Sequence, residues 1–219
     1  MNDDMIFKIC LLAALGVYGM TSLVRPQPKD TIKLDRTIPD LQITGAPTSL
    51  VLQRVAGSSS VPIGIEALPE IDGQTRTIDV RLKGATVRAV LDLVVKKDPR
   101  YVWQTAGPVI NVFPKGPKDP LLGTIVSHFE VKNVNREEAI RALENSIEVQ
   151  KILAETSLSD RTLKSLPGDS EYGLPKFSLD LKDSSVRSIL NSIMLKSSSK
   201  SWVFFRYGAR KDSFSVLMH

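Results

Sequence analysis

At 219 residues, with 24% charged and 42% hydrophobic positions, the chain is long enough for one or two modest cores, and its composition excludes wholesale disorder. Its 29 Lys and Arg against 24 Asp and Glu leave a net charge of +5, to which the first 25 residues add nothing because Asp3 and Asp4 balance Lys8 and Arg25. That excess is spread without a basic run or an aromatic-studded basic helix, so nucleic acid is not an expected partner.

The chain opens on an apolar stretch, Ile9 to Val24, between Lys8 and Arg25-Pro26. Its length falls between a signal-peptide core and a membrane span, so residues 1–25 read as a signal peptide or a membrane anchor, with residues 9–24 as the tether in the second case. Cys10, the only cysteine, follows Lys8-Ile9 within this stretch and suits neither lipid attachment nor a disulfide. Residues 26–37, beginning Pro26-Gln27-Pro28-Lys29-Asp30, read as an extended linker.

Between 38 and 114 the pattern alternates strand and helix. Leu41 to Thr44 alternates as a short strand. Ser49 to Ala56 carries Leu50, Val51, Leu52 and Val55 as a helix that Gly57 with Ser58-Ser59-Ser60 should stop. Val61 to Glu66 reads as a strand that Pro62 demotes to an edge or an irregular pairing. Thr77 to Leu82 puts Ile78, Val80 and Leu82 on one face. A helix then runs through Val87, Val90, Leu91 and Val94, with Thr86 as N-cap and Asp98-Pro99 as stop. Tyr101 to Thr105 and Val109 to Phe113 form a hairpin.

Residues 115–122 are a Pro-rich linker, and 123–219 repeat the order. Phe129-Glu130-Val131 stands for the first strand. Asn135 caps a helix with Glu137 and Glu138 in its first turn and Ala139, Ile140, Leu143 and Ile147 along one side. An insertion near 148–175 follows, either more helix to about Thr156 or a short strand at Ile147 to Gln150. Phe177, Leu179 and Leu181 restore the strand, and Val186, Ile189, Leu190 and Ile193 the helix. Trp202 to Arg206 and Phe214 to Met218 close the chain as a second hairpin.

The repetition is numerical as well as qualitative. Leu82 and Leu181, Val87 and Val186, Arg88 and Arg187, Leu91 and Leu190, and the two tryptophans, Trp103 and Trp202, all stand 99 residues apart. A fixed offset of this kind reads as a duplicated supersecondary unit. The expected fold class is α+β: two tandem small β-α-β-β-α-β-β modules after an N-terminal apolar segment, each a small sheet carrying two helices.

Chemistry is sparse by comparison. There is no Gly-rich phosphate loop, no Gly-x-Ser-x-Gly and no Cys or His cluster at metal spacing, so no catalytic residue, cofactor or metal is predicted. His128 and His219 lie far apart in sequence, and Glu66, Glu70 and Asp72 read as a solvated loop. The tryptophans read as core residues under the second helix of each unit. The strand Trp202 to Tyr207 is apolar on both faces, which makes Val203, Phe205 and Tyr207 the candidate interaction surface. That second face must be covered by the insertion, by the first unit or by a partner.

The stretch Val80-Arg81-Leu82-Lys83-Gly84-Ala85-Thr86-Val87-Arg88-Ala89-Val90-Leu91, followed by Tyr101-Val102-Trp103 and Val109-Ile110-Asn111-Val112, resembles the secretin and TonB-receptor N-terminal short (STN) domain. The resemblance covers about 38–114, and it recurs over 177–218 and only loosely before that. It implies a periplasmic, non-catalytic docking domain, exported or anchored to the inner membrane, within a secretion, pilus or TonB-type signalling assembly. The partner would be another envelope protein, met at a sheet edge or an apolar patch. No pore- or barrel-forming pattern follows the second unit. The alternative is an enzyme acting on cell-wall material with its site between the modules.

Overall fold

The computed structural model describes residues 34–68, 76–156, 159–160, 174–207 and 213–219. The apolar stretch 9–24, Glu70, Asp72 and the side chain of Tyr207 lie outside the described residues. The fold is α+β. The first half runs β1 (Thr37–Pro47), α1 (Thr48–Ser59), β2 (Ile63–Ala67), β3 (Thr77–Thr86), α2 (Val87–Lys97), β4 (Tyr101–Ala106) and β5 (Val109–Pro114). The second runs α3 (Pro120–Gly123), β6 (Ile125–Val134), α4 (Arg136–Glu144), α5 (Ile147–Glu155), β7 (Ser159–Asp160), β8 (Phe177–Ser185), α6 (Val186–Lys196), β9 (Ser201–Tyr207) and β10 (Ser213–Met218).

The halves do not keep separate sheets. One six-stranded sheet, in the order β4-β5-β2-β9-β10-β7, runs through both, and β2 pairs with β9 in parallel at the middle. Strands β5, β2 and β9 point one way, while β4, β10 and β7 point the other. The helices also change face. Ile63 and Ile65 of β2 and Val203 of β9 share a core with Val51, Leu52, Val90 and Leu91 from α1 and α2. Trp202 and Phe204 of β9 join Ile140, Leu143, Ile189 and Leu190 from α4 and α6. The central strands are therefore covered on both sides, which is why they read as continuous apolar runs.

Local chemistry sets the elements. Thr86 and Ser185 each cap a helix, accepting the N–H of Ala89 and of Ser188 at 3.2 Å. Asn135 and Glu138 form a full capping box on α4. The two antiparallel ribbons, β1–β3 and β6–β8, each break register once, between Ile43 and Ala46 and between Val131 and Val134. Inside those breaks Gly45 and Asn133 take φ of +60° and +52°, and each donates its N–H to a side chain across the ribbon, Asp79 Oδ1 at 2.7 Å and Ser178 Oγ at 3.0 Å.

Several details differ from the sequence reading. Pro62 precedes β2 and does not make it an edge, because proline lacks a donor only at its own position and every later residue can pair. Helix α1 runs three residues past Ala56, through Gly57 to Ser59, and stops at the last serine of the expected stop, Ser60, which has φ of +54°. The end of the Pro-rich linker is structured: Asp119 caps α3, and Leu121 and Leu122 are buried with the second half's helices. The chain breaks at Asn145 and Ser146, so Ile147 opens α5 at 84% exposure and does not extend the buried side of α4.

Gly64, inside β2, has no side chain because Trp202 occupies the space: a Cβ there would lie 2.5 Å from two carbons of the indole ring and 2.6 Å from Asn111 Oδ1. Gly57, in α1, has nothing within 4 Å. Alanine substitutions should thus have opposite signs. Gly64→Ala is expected to cost about 2–3 kcal/mol in urea unfolding, as overpacking against a rigid ring does. Gly57→Ala is expected to add roughly 0.5–1 kcal/mol. Equal effects at the two positions would contradict the close approach.

Candidate interaction surface

The strand singled out from its two apolar faces is β9, and the structure shows what covers each. Trp202 and Phe204 point to the second half's helices, where Trp202 is fully buried, its indole N–H donates to Asn191 Oδ1 of α6 at 2.7 Å, and the Phe204 ring lies 5.9 Å from that of Phe214. Val203, 3% exposed, lies in the first half's core, and Phe205 packs partly buried against it. The first half is thus what covers these two residues, since α1 packs on that face and β2 lies beside β9 in the sheet. Tyr207 pairs through its backbone with Ser213.

Polar groups tie the same seam. Glu66 of β2 reaches α6 and accepts from Arg187 Nε at 2.5 Å, with both side chains largely buried. Burial pushes the Glu66 carboxyl above the ordinary carboxylate range, against the pull of the Arg187 hydrogen bond and charge. Asp119, ahead of α3, accepts from Arg206 of β9 at 2.6 Å while its other oxygen caps the helix. Glu66 is therefore not part of a solvated acidic loop. Its signal in the sequence was Gly64, two residues before it, because glycine inside an apolar strand is one mark of a close approach by another part of the chain.

Each half also fastens the start of one helix, α1 or α4, to the residues that follow another, α2 or α6. In the first, Asp98 is fully buried and accepts from Thr48 Oγ1 at 2.8 Å and from Arg100 Nε and Nη2 at 2.7 Å. Burial pushes the Asp98 carboxyl up, but the hydrogen bonds from Arg100 and Thr48 outweigh it and hold the group below its usual range. In the second, Arg136 Nη1 donates to Ser199 Oγ at 3.3 Å. His128 lies beside Asp180 at 3.0 Å, with both side chains exposed. Among the described residues no three His, Cys, Asp or Glu gather as a metal site.

At the far end of the sheet, β4 is hydrogen-bonded among the described residues on one side only, to β5. Gln104, Thr105 and Ala106 are exposed along it. Trp103 is partly buried, donates its indole N–H to Asp92 Oδ1 of α2 at 3.0 Å, and has the exposed Arg88 guanidinium 5.7 Å from its ring centroid. Among the described residues no helix is long and apolar enough to cross a membrane. No family model, no curated protein and no solved structure matches the chain.

The Glu66–Arg187 pair predicts a non-additive cycle. Arg187→Met alone leaves a buried carboxylate without its cation and should cost about 3–5 kcal/mol, whereas Glu66→Gln with Arg187→Met should recover most of that loss. The sign with pH follows from the raised pKa. The folded state holds the Glu66 proton more tightly than the unfolded chain, whose value is 4.5, so the group's contribution is complete below 4.5 and is lost as pH rises through the folded value. Arg187→Met should steepen that fall, and the double variant should remove it. Urea titrations from acid to neutral pH measure both, and additive losses with unchanged slopes would count against a coupled pair.

Proposed function

We propose that the chain is two tandem copies of one STN-like β-α-β-β-α-β-β unit, the second carrying an insertion, and that it works as a non-catalytic protein-interaction module of the bacterial envelope. The duplication is supported by details that recur at fixed offsets. The tryptophan-to-helix hydrogen bond joins Trp103 to Asp92 and Trp202 to Asn191, and 99 residues separate each member from its counterpart. The caps at Thr86 and Ser185 share that offset, as do the left-handed positions Gly84 and Asp183. The left-handed Gly45 and Asn133 stand 88 apart, so the second copy is longer by about eleven residues between its first helix and its third strand.

The observation that carries the functional reading is the seam. Strand-edge pairing already joins the two halves, and among the described residues the edge of β4 is open to a further strand. Position in the envelope rests on the N-terminal apolar stretch and on the resemblance: the chain is exported, and either periplasmic or held at the inner membrane facing the periplasm. In the alternative, a cell-wall enzyme with a site between the modules, the interface would hold converging acid–base groups. The described carboxylates of that interface, Glu66 and Asp119, are each engaged by an arginine.

The test is photocrosslinking in bacterial cells with the reactive side chain placed in turn at Gln104 on β4, Lys151 on α5 and Lys196 on α6, all exposed. The expected result is a recurring adduct with one envelope protein from at least one position. No adduct from any position, co-fractionation of the chain with the cytoplasm, or cell-wall hydrolysis by the pure chain would overturn the reading.

A further inference from the structure

The seam between the halves is a worked example of what β4 can bind. There, β2 lies parallel to β9 with Gly64 opposite Trp202, Ile65 opposite Val203 and Glu66 opposite Phe204. Three features make the fit. Gly64 lets the strand pass under the Trp202 ring at a distance no Cβ tolerates. Asn191 holds that ring by its N–H. Arg187, one turn earlier on α6, takes the Glu66 carboxylate. The side chains between these, Ile63 and Ile65, turn to the opposite face and into the core that belongs to their own half.

Every receiving part of this arrangement has a counterpart at β4, 99 residues earlier. Trp103 stands for Trp202, Asp92 for Asn191 and holds the indole N–H in the same way, and Arg88 for Arg187. Only the incoming strand is missing from the described residues: β4 ends the sheet, Trp103 is partly buried where Trp202 is wholly so, and Arg88 is exposed where Arg187 is largely buried. Charge agrees with this, since Arg88 presents a cation at the height where Arg187 meets its carboxylate.

We infer that the outer edge of β4 docks one kind of strand: a strand parallel to β4, with glycine opposite Trp103 and an acidic residue two positions later that pairs with Arg88. The inference rests on the strand-docking reading above and adds the chemistry of the partner. In the seam the residues flanking the glycine turn away from the receiving half, so in a folded partner they would be apolar and would belong to the partner's own core. The occupant is then a sheet-edge strand of another domain with the pattern apolar-Gly-apolar-acidic.

The probe is a labelled peptide with the sequence of residues 61–68, Val-Pro-Ile-Gly-Ile-Glu-Ala-Leu, titrated onto the full chain and followed by fluorescence anisotropy and amide NMR. Binding should shift the backbone amides of Val102 to Ala106 and the Trp103 indole. A peptide carrying Gly64→Val should fail to bind. Arg88→Glu in the protein should weaken binding roughly five- to tenfold, and a Glu66→Lys peptide should bind that variant better than the native peptide does. Since Arg88 is exposed, the variant keeps its fold, which its NMR spectrum verifies. Absence of binding, shifts confined to β9 and Trp202, indifference to both the glycine and the charge changes, or self-association through β4 that excludes the peptide would each overturn the inference. Crosslinks to an envelope protein from Lys151 or Lys196, combined with no peptide binding at β4, would sink the inference and leave the interaction function standing.

Discussion

The rest of the structure depends on the parallel pairing of β2 with β9. Neither half can complete its own core without it. Val203, from the last hairpin, fills the first half's interior, and Val109, from the first hairpin, fills the second's. Halves of this size bury only modest cores, and shared burial at a common strand pair enlarges both. The same pairing removes two exposed strand edges, each of which would otherwise recruit an unwanted strand.

This arrangement sets the chemistry of the seam. A strand with helices on both faces has no solvent side, so any polar group on it must be satisfied within the protein. Glu66 is such a group, and Arg187 is the only cation paired with it among the described ion pairs. A buried pair of this kind adds little net stability over an apolar one of the same shape, but it penalises misregister heavily. A one-residue slip of β2 would turn Glu66 into the first half's core and drive Ile65 against the Trp202 ring. Gly64 enforces the same register sterically, because no other residue of β2 lacks a Cβ.

Much of the fold was legible because it follows from local pattern. The caps at Thr86 and Asn135, the stripe Val87, Val90, Leu91 and Val94, and both hairpins lie where period and capping chemistry put them. What escaped was long-range. The shared sheet could not be read from either half, since no local signal names the partner of a strand, and Pro62 pulled the reading of β2 toward an edge. Glu66 was half readable for the same reason: Gly64 marked its strand, but its cation lies 121 residues away. Ile147 fitted the helical period of α4, yet it is exposed because the backbone turns at Asn145 and Ser146, and periodicity carries no information about where a helix breaks. The doubly apolar character of Trp202 to Tyr207 was a correct signal of contact on two sides, and the first half was one of the coverings it allowed.

The seam is also a contact between unlike surfaces: the outer edge of one half's third strand in the sheet meets the outer edge of the other half's first. Contacts of this kind do not close on themselves, so a complementary edge remains at each end of the array. Here the two ends are unequal. β7 spans two residues, Ser159–Asp160, whereas β4 spans six and keeps the indole, its anchoring carboxylate and the arginine that the interior seam uses. Trp103 packs partly buried against the first half's core, but Arg88 and Asp92 are exposed and contribute little to burial. Their placement makes physical sense if the edge meets a strand of the kind that the interior seam already holds.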